Sequence, residues 1–258
     1  MTDVPRGYQY DGGTDFSLGN VFSLSFSILG AHFLQFALLS AISSIPILVF
    51  LFLFPDAAPG HSGAAASLPP GAAIAALLSA LLLFPMMFLG QATVLFGAFQ
   101  DMLGRPVRIL PSLGVGLARI FPVIGMFVVQ LAGILLGFAL LVIPGIVLGL
   151  AWSVALPACV VEKLGPIGSL KRSWTLTKGH RWKLFAIYIS YGVGGMLANG
   201  AVNGVLNATG EPLASATGSF VWEALYLAYA AILSVVVYRD LRVTKENLST
   251  EQIAAMFE

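Results

Sequence analysis

The side chains best suited to metal binding or acid–base catalysis are few in this sequence and widely separated. The three histidines, His32, His61 and His180, lie far from one another, whereas a zinc site needs three or four ligands at short, regular spacings. The single cysteine, Cys159, lies in an apolar run, where a buried, unreactive side chain is expected. No paired carboxylates fall within one turn of each other in an apolar segment. The sequence therefore predicts no catalytic residues, no metal, no cofactor and no nucleic-acid partner.

Basic side chains are concentrated in residues 161–185, which hold six of the thirteen Lys and Arg residues of the chain. Cations of this density are typical of a segment beside acidic lipid head groups. A basic cytoplasmic loop that only fixes the topology is the alternative. Under the first interpretation, the residues that contact lipid head groups are Lys171, Arg172, Lys178, His180, Arg181 and Lys183.

A helix is predicted within this basic stretch. Gly165-Pro166 favours a helix start, because proline at the first helical position loses only an N–H that has no partner there, and Gly179 favours a stop. Ile167, Leu170 and Trp174 then share one face, although Leu176 points away from it. The pattern predicts an amphipathic helix in the membrane interface. Similar helices are predicted near residues 18–29 and 109–120.

Amides and glycines within the apolar segments form a second set of candidates. Buried polar groups are costly in lipid unless they are paired, and small residues let helix backbones approach closely. Hydrogen bonding between helices and the lining of a solute path both remain open. The residues are Gln91, Gln130, Gly195, Asn199, Gly200, Asn203 and Gly204.

Composition places these residues in a membrane protein. Apolar residues make up 58% of the chain and charged residues 10%, whereas soluble domains carry about 25% charged residues. A helix needs about 20 apolar residues to cross a bilayer. We predict a membrane domain over residues 16–246, a disordered cytoplasmic tail over 1–15 and a C-terminal cytoplasmic tail over 247–258. The predicted spans are about 31–54, 72–99, 122–142, 146–161, 184–206 and 220–238.

The distribution of positive charge gives the orientation. With six spans and an internal N-terminus, all thirteen Lys and Arg residues fall on the cytoplasmic side, as the positive-inside rule requires. Both termini are then cytoplasmic. No cleavable signal is evident, because the first residues are polar and of mixed charge. We therefore expect a multi-pass protein of the bacterial inner membrane.

The unit of one interfacial helix followed by two spans occurs three times. The first and third copies align in detail, with Ser25-Phe26-Ser27-Ile28 matching Ser173-Trp174-Thr175-Leu176 and His32 matching His180 at the same offset. The fold class predicted is therefore all-α and polytopic, with six transmembrane helices arranged as three repeats of an interfacial amphipathic helix and a two-span hairpin.

The run from Leu140 to Phe185 and the ending Tyr238-Arg239-Asp240-Leu241-Arg242 resemble a bacterial family of six-span proteins. That family is named for the membrane domain attached to some glycerophosphoryl diester phosphodiesterases. The resemblance implies an inner-membrane protein. It implies no phosphodiesterase activity for this chain, because the catalytic barrel is a separate soluble unit rich in His and Glu.

Three functions follow as hypotheses. The first is a non-enzymatic scaffold or lipid-interacting organiser, which would use interfacial helices, a basic cytoplasmic collar and anionic phospholipids as partners. The second is a transporter or channel for a small or lipidic solute, lined by the amides. The third, a membrane domain that partners a separate soluble enzyme, rests on the resemblance alone. If the amides pair helix to helix, the first hypothesis is favoured over the second.

Overall fold

The computed structural model describes residues 16–53, 90–107 and 109–246, and every regular element in those ranges is an α-helix. The predicted tails, and the loop that contains His61, lie outside the described residues. The all-α prediction is confirmed for the described part of the chain. Its helices are α1 (Leu18–Ala31), α2 (Phe33–Leu53), α3 (90–102), α4 (Ile109–Ala118), α5 (Ile120–Leu140), α6 (Val142–Ala151), α7 (Ala155–Val161), α8 (Pro166–Thr177), α9 (Arg181–Ala208) and α10 (Pro212–Glu246).

Four helical stretches of the described residues are long and apolar enough to cross a membrane. They are α5, α6 taken together with α7, α9, and the part of α10 from Thr217 to Glu246. These stretches correspond to the last four predicted spans. A fifth is counted if α1 and residues 33–42, which meet at 88°, form one broken span. The predicted second span, 72–99, lies mostly outside the described residues, so the total of six stays a prediction.

The hairpin between α5 and α6 turns three residues earlier than predicted. Between the predicted spans 122–142 and 146–161, the sequence predicts a turn at Pro144-Gly145, but the chain reverses at Leu141, which has an extended backbone. Pro144 lies in the first turn of α6, where a missing N–H costs no helical hydrogen bond. Gly145 faces Gly137, and a Cβ built on Gly137 would lie 3.0 Å from the Gly145 Cα. The glycines therefore serve a close helix contact and not a turn.

Helix α10 occupies the centre of the described bundle. It packs against α1, α2, α7, α8 and α9, and its residues from 235 to 242 are all buried. The hairpin α5–α6 instead exposes large apolar side chains, including Leu136 (63%) and Ile143 (73%). Exposed apolar surface of this extent is typical of a lipid-facing helix, because lipid imposes no penalty on it.

Helix α8 begins and ends where the sequence predicted, but two of the three residues of its predicted apolar face point outward. Gly165 is the N-cap, Pro166 is the first helical residue, and Gly179 has a φ of +90°. Ile167 and Trp174 are 52% and 40% exposed, whereas Leu176 is 1% exposed. The prediction that Leu176 lies away from the other three apolar residues holds for Ile167 and Trp174 but not for Leu170, which is 5% exposed and is buried in the core together with Leu176. Small hydroxyl side chains form most of the rest of the buried face, namely Ser169, Ser173 and Thr177.

Two of these hydroxyls, those of Ser173 and Thr177, face an interruption in the preceding helix. The α-helix breaks between α6 and α7 at residues 152–154, since Pro157 has no N–H for the carbonyl of Ser153 and its ring disfavours a continuous helix at that point. Ser173 Oγ donates to the carbonyl of Ala151 (2.8 Å) and accepts from the N–H of Val154 (3.3 Å). Thr177 Oγ1 lies 3.2 Å from the same carbonyl oxygen. Helix α8 therefore satisfies backbone groups that the interruption leaves without helical partners.

Replacing Ser173 with alanine tests this interaction. The variant removes both hydrogen bonds and leaves the buried N–H of Val154 without its acceptor, so unfolding free energy should fall by about 1–3 kcal/mol. Thermal or denaturant-induced unfolding in a mild detergent measures the change. Thr175→Ala is the matched control, because Thr175 is exposed on the opposite face and its hydroxyl bonds only within α8. Equal stability losses in the two variants would contradict the interpretation.

Candidate functional site

A closed ionic network joins three parts of the chain at the basic end of the bundle. Glu162 follows α7, Arg172 lies on α8, and Tyr238, Arg242 and Glu246 lie near the end of α10. Arg172 Nε lies 2.8 and 2.9 Å from the two carboxylate oxygens of Glu162, and Arg172 Nη2 lies 2.5 Å from Glu246 Oε1. Tyr238 donates its hydroxyl to Glu162 (2.5 Å), and Arg242 Nε donates to Glu246 (2.9 Å). We call these five residues the ionic network.

The ionic network changes the role expected for Arg172. Burial opposes the charge of its guanidinium, but hydrogen bonds and charge attraction from Glu162 and Glu246 outweigh burial and raise its pKa. Arg172, predicted to contact lipid head groups, thus directs its charge into the protein. The two carboxylates balance the charges of Arg172 and Arg242, so the network adds no net positive charge to the surface.

Four of the predicted head-group residues remain without an acidic partner among the described residues. They are Lys171, Lys178, Arg181 and Lys183, and we call them the cationic surface.

The cationic surface lies close to aromatic side chains. The guanidinium of Arg181 stacks on Trp174 at 4.3 Å from the ring centroid. Lys183 Nζ donates to the carbonyl of Phe16 at 3.0 Å, which ties the N-terminal side of α1 to α9. Trp182 is 84% exposed. Arginine or lysine beside exposed tryptophan is typical of the boundary between water and lipid.

His180 differs from its basic neighbours because its surroundings oppose the charged form of its ring. It occupies the N-cap of α9, and its ring meets Phe16 edge-on at 5.9 Å. Burial, followed by repulsion from Lys245 and Lys183, lowers the pKa of His180 from its ordinary value of 6.5. Its Nδ1 is buried and has no hydrogen-bond partner in the described part of the chain. His180 therefore contributes a buried polar ring atom to this end of the bundle.

The amides predicted to pack helices or to line a path lie at three separate helix contacts. Gln91 donates to the Leu227 carbonyl (3.3 Å), which joins α3 to α10. Gln130 donates to the Trp152 carbonyl (3.4 Å) at the helix interruption.

Asn203 completes the third contact, between α9 and α10. Its side-chain nitrogen donates to Asn199 Oδ1 (2.8 Å), and its own amide oxygen accepts from Ser219 (2.8 Å). Each amide set thus belongs to a different pair of elements in the described part of the chain.

The three glycines of α9 that the sequence singled out divide into one that packs and two that do not. Gly195 lies against the ring of Tyr226, and a Cβ at this position would overlap that ring. The hydroxyl of Tyr191, which stacks on Tyr226 at 4.6 Å, donates to the Tyr226 carbonyl (3.0 Å). Gly200 and Gly204 have nothing within 4 Å of a built Cβ. The expectation of close packing therefore holds in the described structure only for Gly195.

Sequence reasoning missed the ionic network and the aromatic stack. Glu162 and Tyr238 are 76 positions apart, so no local spacing joins them. The one available signal was the spacing of Arg242 and Glu246, which is i,i+4 on a helix and favours an ion pair. The described residues contain no group of three His, Cys, Asp or Glu side chains that could hold a metal ion.

Glu162→Gln tests the ionic network. The amide keeps the shape of the side chain but removes the charge that both Arg172 and Tyr238 contact, so stability should fall by about 1–3 kcal/mol. Unfolding in detergent measures the loss. Glu211→Gln, which neutralises an exposed carboxylate, should change stability little. The double variant Glu162→Gln with Arg172→Gln should lose less than the sum of the single changes, and strict additivity would contradict a direct pair.

Gly195→Ala and Gly200→Ala form a matched pair within one helix. Alanine at 195 must displace the ring of Tyr226, whereas alanine at 200 enters open space and has the better helix propensity. We expect a lower unfolding temperature for Gly195→Ala only. A destabilised Gly200→Ala would instead indicate that this face packs against a partner in the membrane.

Comparison with known proteins adds a family to this description. The profile of a domain of unknown function (DUF7847) matches residues 101–241, just over half of the chain. The match includes α4 to α9 and three members of the ionic network, Glu162, Arg172 and Tyr238. No curated protein and no solved structure matches the chain. No comparison links it to the glycerophosphoryl diester phosphodiesterase membrane domain, so that resemblance stays a prediction. The chain belongs to the family of the domain of unknown function DUF7847.

Proposed function

We propose that the protein is a non-enzymatic organiser or scaffold of the bacterial inner membrane, which holds anionic lipid against its cytoplasmic side. The observation that carries this proposal is the division of charge at the basic end of the bundle. Arg172 and Arg242 are neutralised by carboxylates, whereas the cationic surface has no acidic partner among the described residues and lies beside exposed tryptophan.

Exposed apolar side chains on the three short helices support an interfacial position. Phe26 on α1 is 61% exposed, Leu110 on α4 is 82% exposed, and Trp174 on α8 is 40% exposed. The 88° bend between α1 and α2 is the angle expected when a helix along the membrane surface leads into one that crosses it. Apolar side chains directed away from the bundle would then enter the acyl region, with the basic residues at the head groups.

The six-span topology and the cytoplasmic termini belong to the same proposal. With six crossings, every Lys and Arg of the chain faces the cytoplasm, where the anionic surface potential attracts basic residues. The four or five candidate spans of the described residues are compatible with this arrangement.

The three-fold repeat is also proposed and gains support from burial. Ser25, Phe26, Ser27 and Ile28 are buried, exposed, exposed and buried, and residues 173–176 follow the same order. His32 and His180 both lie at the junction between a short helix and the long helix that follows it. His32 differs in having an acidic partner, since its Nε2 lies 2.8 Å from Asp101.

The alternative functions have less support. A solute path would need the amides to converge, but Gln91, Gln130 and Asn203 each bond at a different helix contact. No observation from the described residues favours a soluble enzyme as the partner of this chain.

Charge removal from the cationic surface tests the proposal. We would replace Lys171, Lys178 and Lys183 with Gln and purify the protein from mixed micelles with equal phosphatidylglycerol and phosphatidylcholine. Each basic residue near an anionic surface contributes on the order of 1 kcal/mol, so the preference for phosphatidylglycerol should fall by at least about tenfold. Native mass spectrometry counts the retained lipids.

The matched control replaces the same three lysines with arginine, which keeps the charge. This variant should retain the lipid preference of the unmodified protein. If the Gln variant keeps an unchanged phosphatidylglycerol preference, or if the unmodified protein shows none, the organiser proposal fails.

A further inference from the structure

A groove of about 480 Å³ lies between α6 and the first turn of α9. Aliphatic side chains of α6 between Ile143 and Leu150 form one wall, and Trp182 and Phe185 of α9 form the other. At the helical rise of about 1.5 Å per residue, the α6 wall extends about 10 Å. Arg181 is the one charged residue among the described residues of the lining. The groove therefore combines a long apolar channel with one cation.

Two buried nitrogen atoms at this end of the groove have no hydrogen-bond partner among the described residues. Arg181 Nε is buried and has no hydrogen-bond partner among the described residues, and the same is true of Nδ1 of the adjacent His180. Stacking on Trp174 occupies one face of the guanidinium but accepts no in-plane hydrogen bond. A buried donor without an acceptor is costly, so an acceptor brought by a ligand would remove this cost.

The surrounding charges specify the sign of that ligand. Lys183 lies two residues from Arg181 on α9, and Lys245 of α10 is close enough to both Arg181 and His180 to repel them. Helix α9 has 28 residues and no side-chain cap at its N-terminus, which adds partial positive charge at this point. No described carboxylate is paired with Arg181, so an anion is favoured here.

We propose that this groove binds a single anionic phospholipid, with a phosphodiester oxygen on the Arg181 Nε–H and one acyl chain along the α6 wall. The inference rests on the proposed function, since it assumes that the basic end meets anionic lipid. It goes further by assigning one discrete site within a diffuse surface. A free phosphate would satisfy Arg181 but would leave the apolar walls without a ligand, and a neutral lipid would fill the walls but leave the cation without a partner.

The experiment uses the full chain, purified in mild detergent, with dioleoyl phosphatidylglycerol as the probe and native mass spectrometry as the readout. We expect one molecule to be retained under conditions that remove the others. Arg181→Gln should weaken its retention at least tenfold, and Arg181→Lys should restore part of it. Val147→Trp, which fills the groove without changing charge, should weaken retention to a similar extent.

Matched controls separate the site from general effects. Lys163→Gln removes one exposed cation of the same basic stretch outside the groove, and Leu135→Trp adds an indole to the exposed, lipid-facing surface of α5. Both should change retention of the tightly held molecule by less than twofold. Unfolding temperatures of all variants in the same detergent identify any variant that loses lipid because it loses structure. If Arg181→Gln is such a variant, lipid retention by the charge-conserving variant Arg181→Lys is compared with that of the unmodified protein instead.

The outcomes distinguish the groove from the wider proposal. If Arg181→Gln and Lys163→Gln weaken retention equally while phosphatidylglycerol stays preferred, binding is diffuse, so the inference fails and the proposed function stands. If phosphatidylcholine is held as tightly as phosphatidylglycerol in every variant, both fail. If Val147→Trp has no effect and 10 mM inorganic phosphate displaces the probe, the site is one for phosphate alone, which overturns the lipid assignment.

Discussion

The hydroxyl of Ser173 supplies hydrogen bonds that the apolar side chains around it cannot supply. Pro157 interrupts a buried stretch of helix, and the carbonyl of Ala151 and the N–H of Val154 then need partners. Ser173 supplies both, and it can do so only if α8 packs against the break. This requirement explains why a basic, amphipathic segment lies inside the bundle with its small polar face inward. The position of α8 in turn fixes where Arg172 and Trp174 point.

The position of α8 divides the basic stretch into two roles. Arg172 faces the end of α10 and joins Glu162 and Glu246 in the ionic network, which ties the broken helix, α8 and α10 together. Lys171 and Lys178 face outward, Arg181 lies at the groove beside α6, and no described carboxylate is paired with any of them. Neighbouring residues of like charge therefore differ in effect: one stabilises the bundle, and the others give its surface a positive potential. Arg181 combines that potential with the apolar groove beside α6.

Local sequence signals predicted the helices better than they predicted the contacts. The helix start at Gly165-Pro166 and the stop at Gly179 depend only on backbone geometry, and both were correct. Pro144-Gly145 suggested a turn because these residues usually mark one, but Leu141 forms it, since proline is tolerated in the first turn of a helix. Spacing along α9 suggested that Gly195, Gly200 and Gly204 all pack. Only the neighbouring helix, which places Tyr226 at Gly195, distinguishes among them.

The sequence by itself determined the helical class, the apolar segments and the single basic end, because hydrophobicity, proline and charge act over one or two turns of chain. It also determined that amides in those segments need partners. The tertiary structure decided which partner each polar group has. Glu162 meets Tyr238 across 76 positions, and Gln130 meets the carbonyl exposed at the helix break. Such pairings depend on the angles and contacts at which the helices pack, and no short window of sequence specifies that packing.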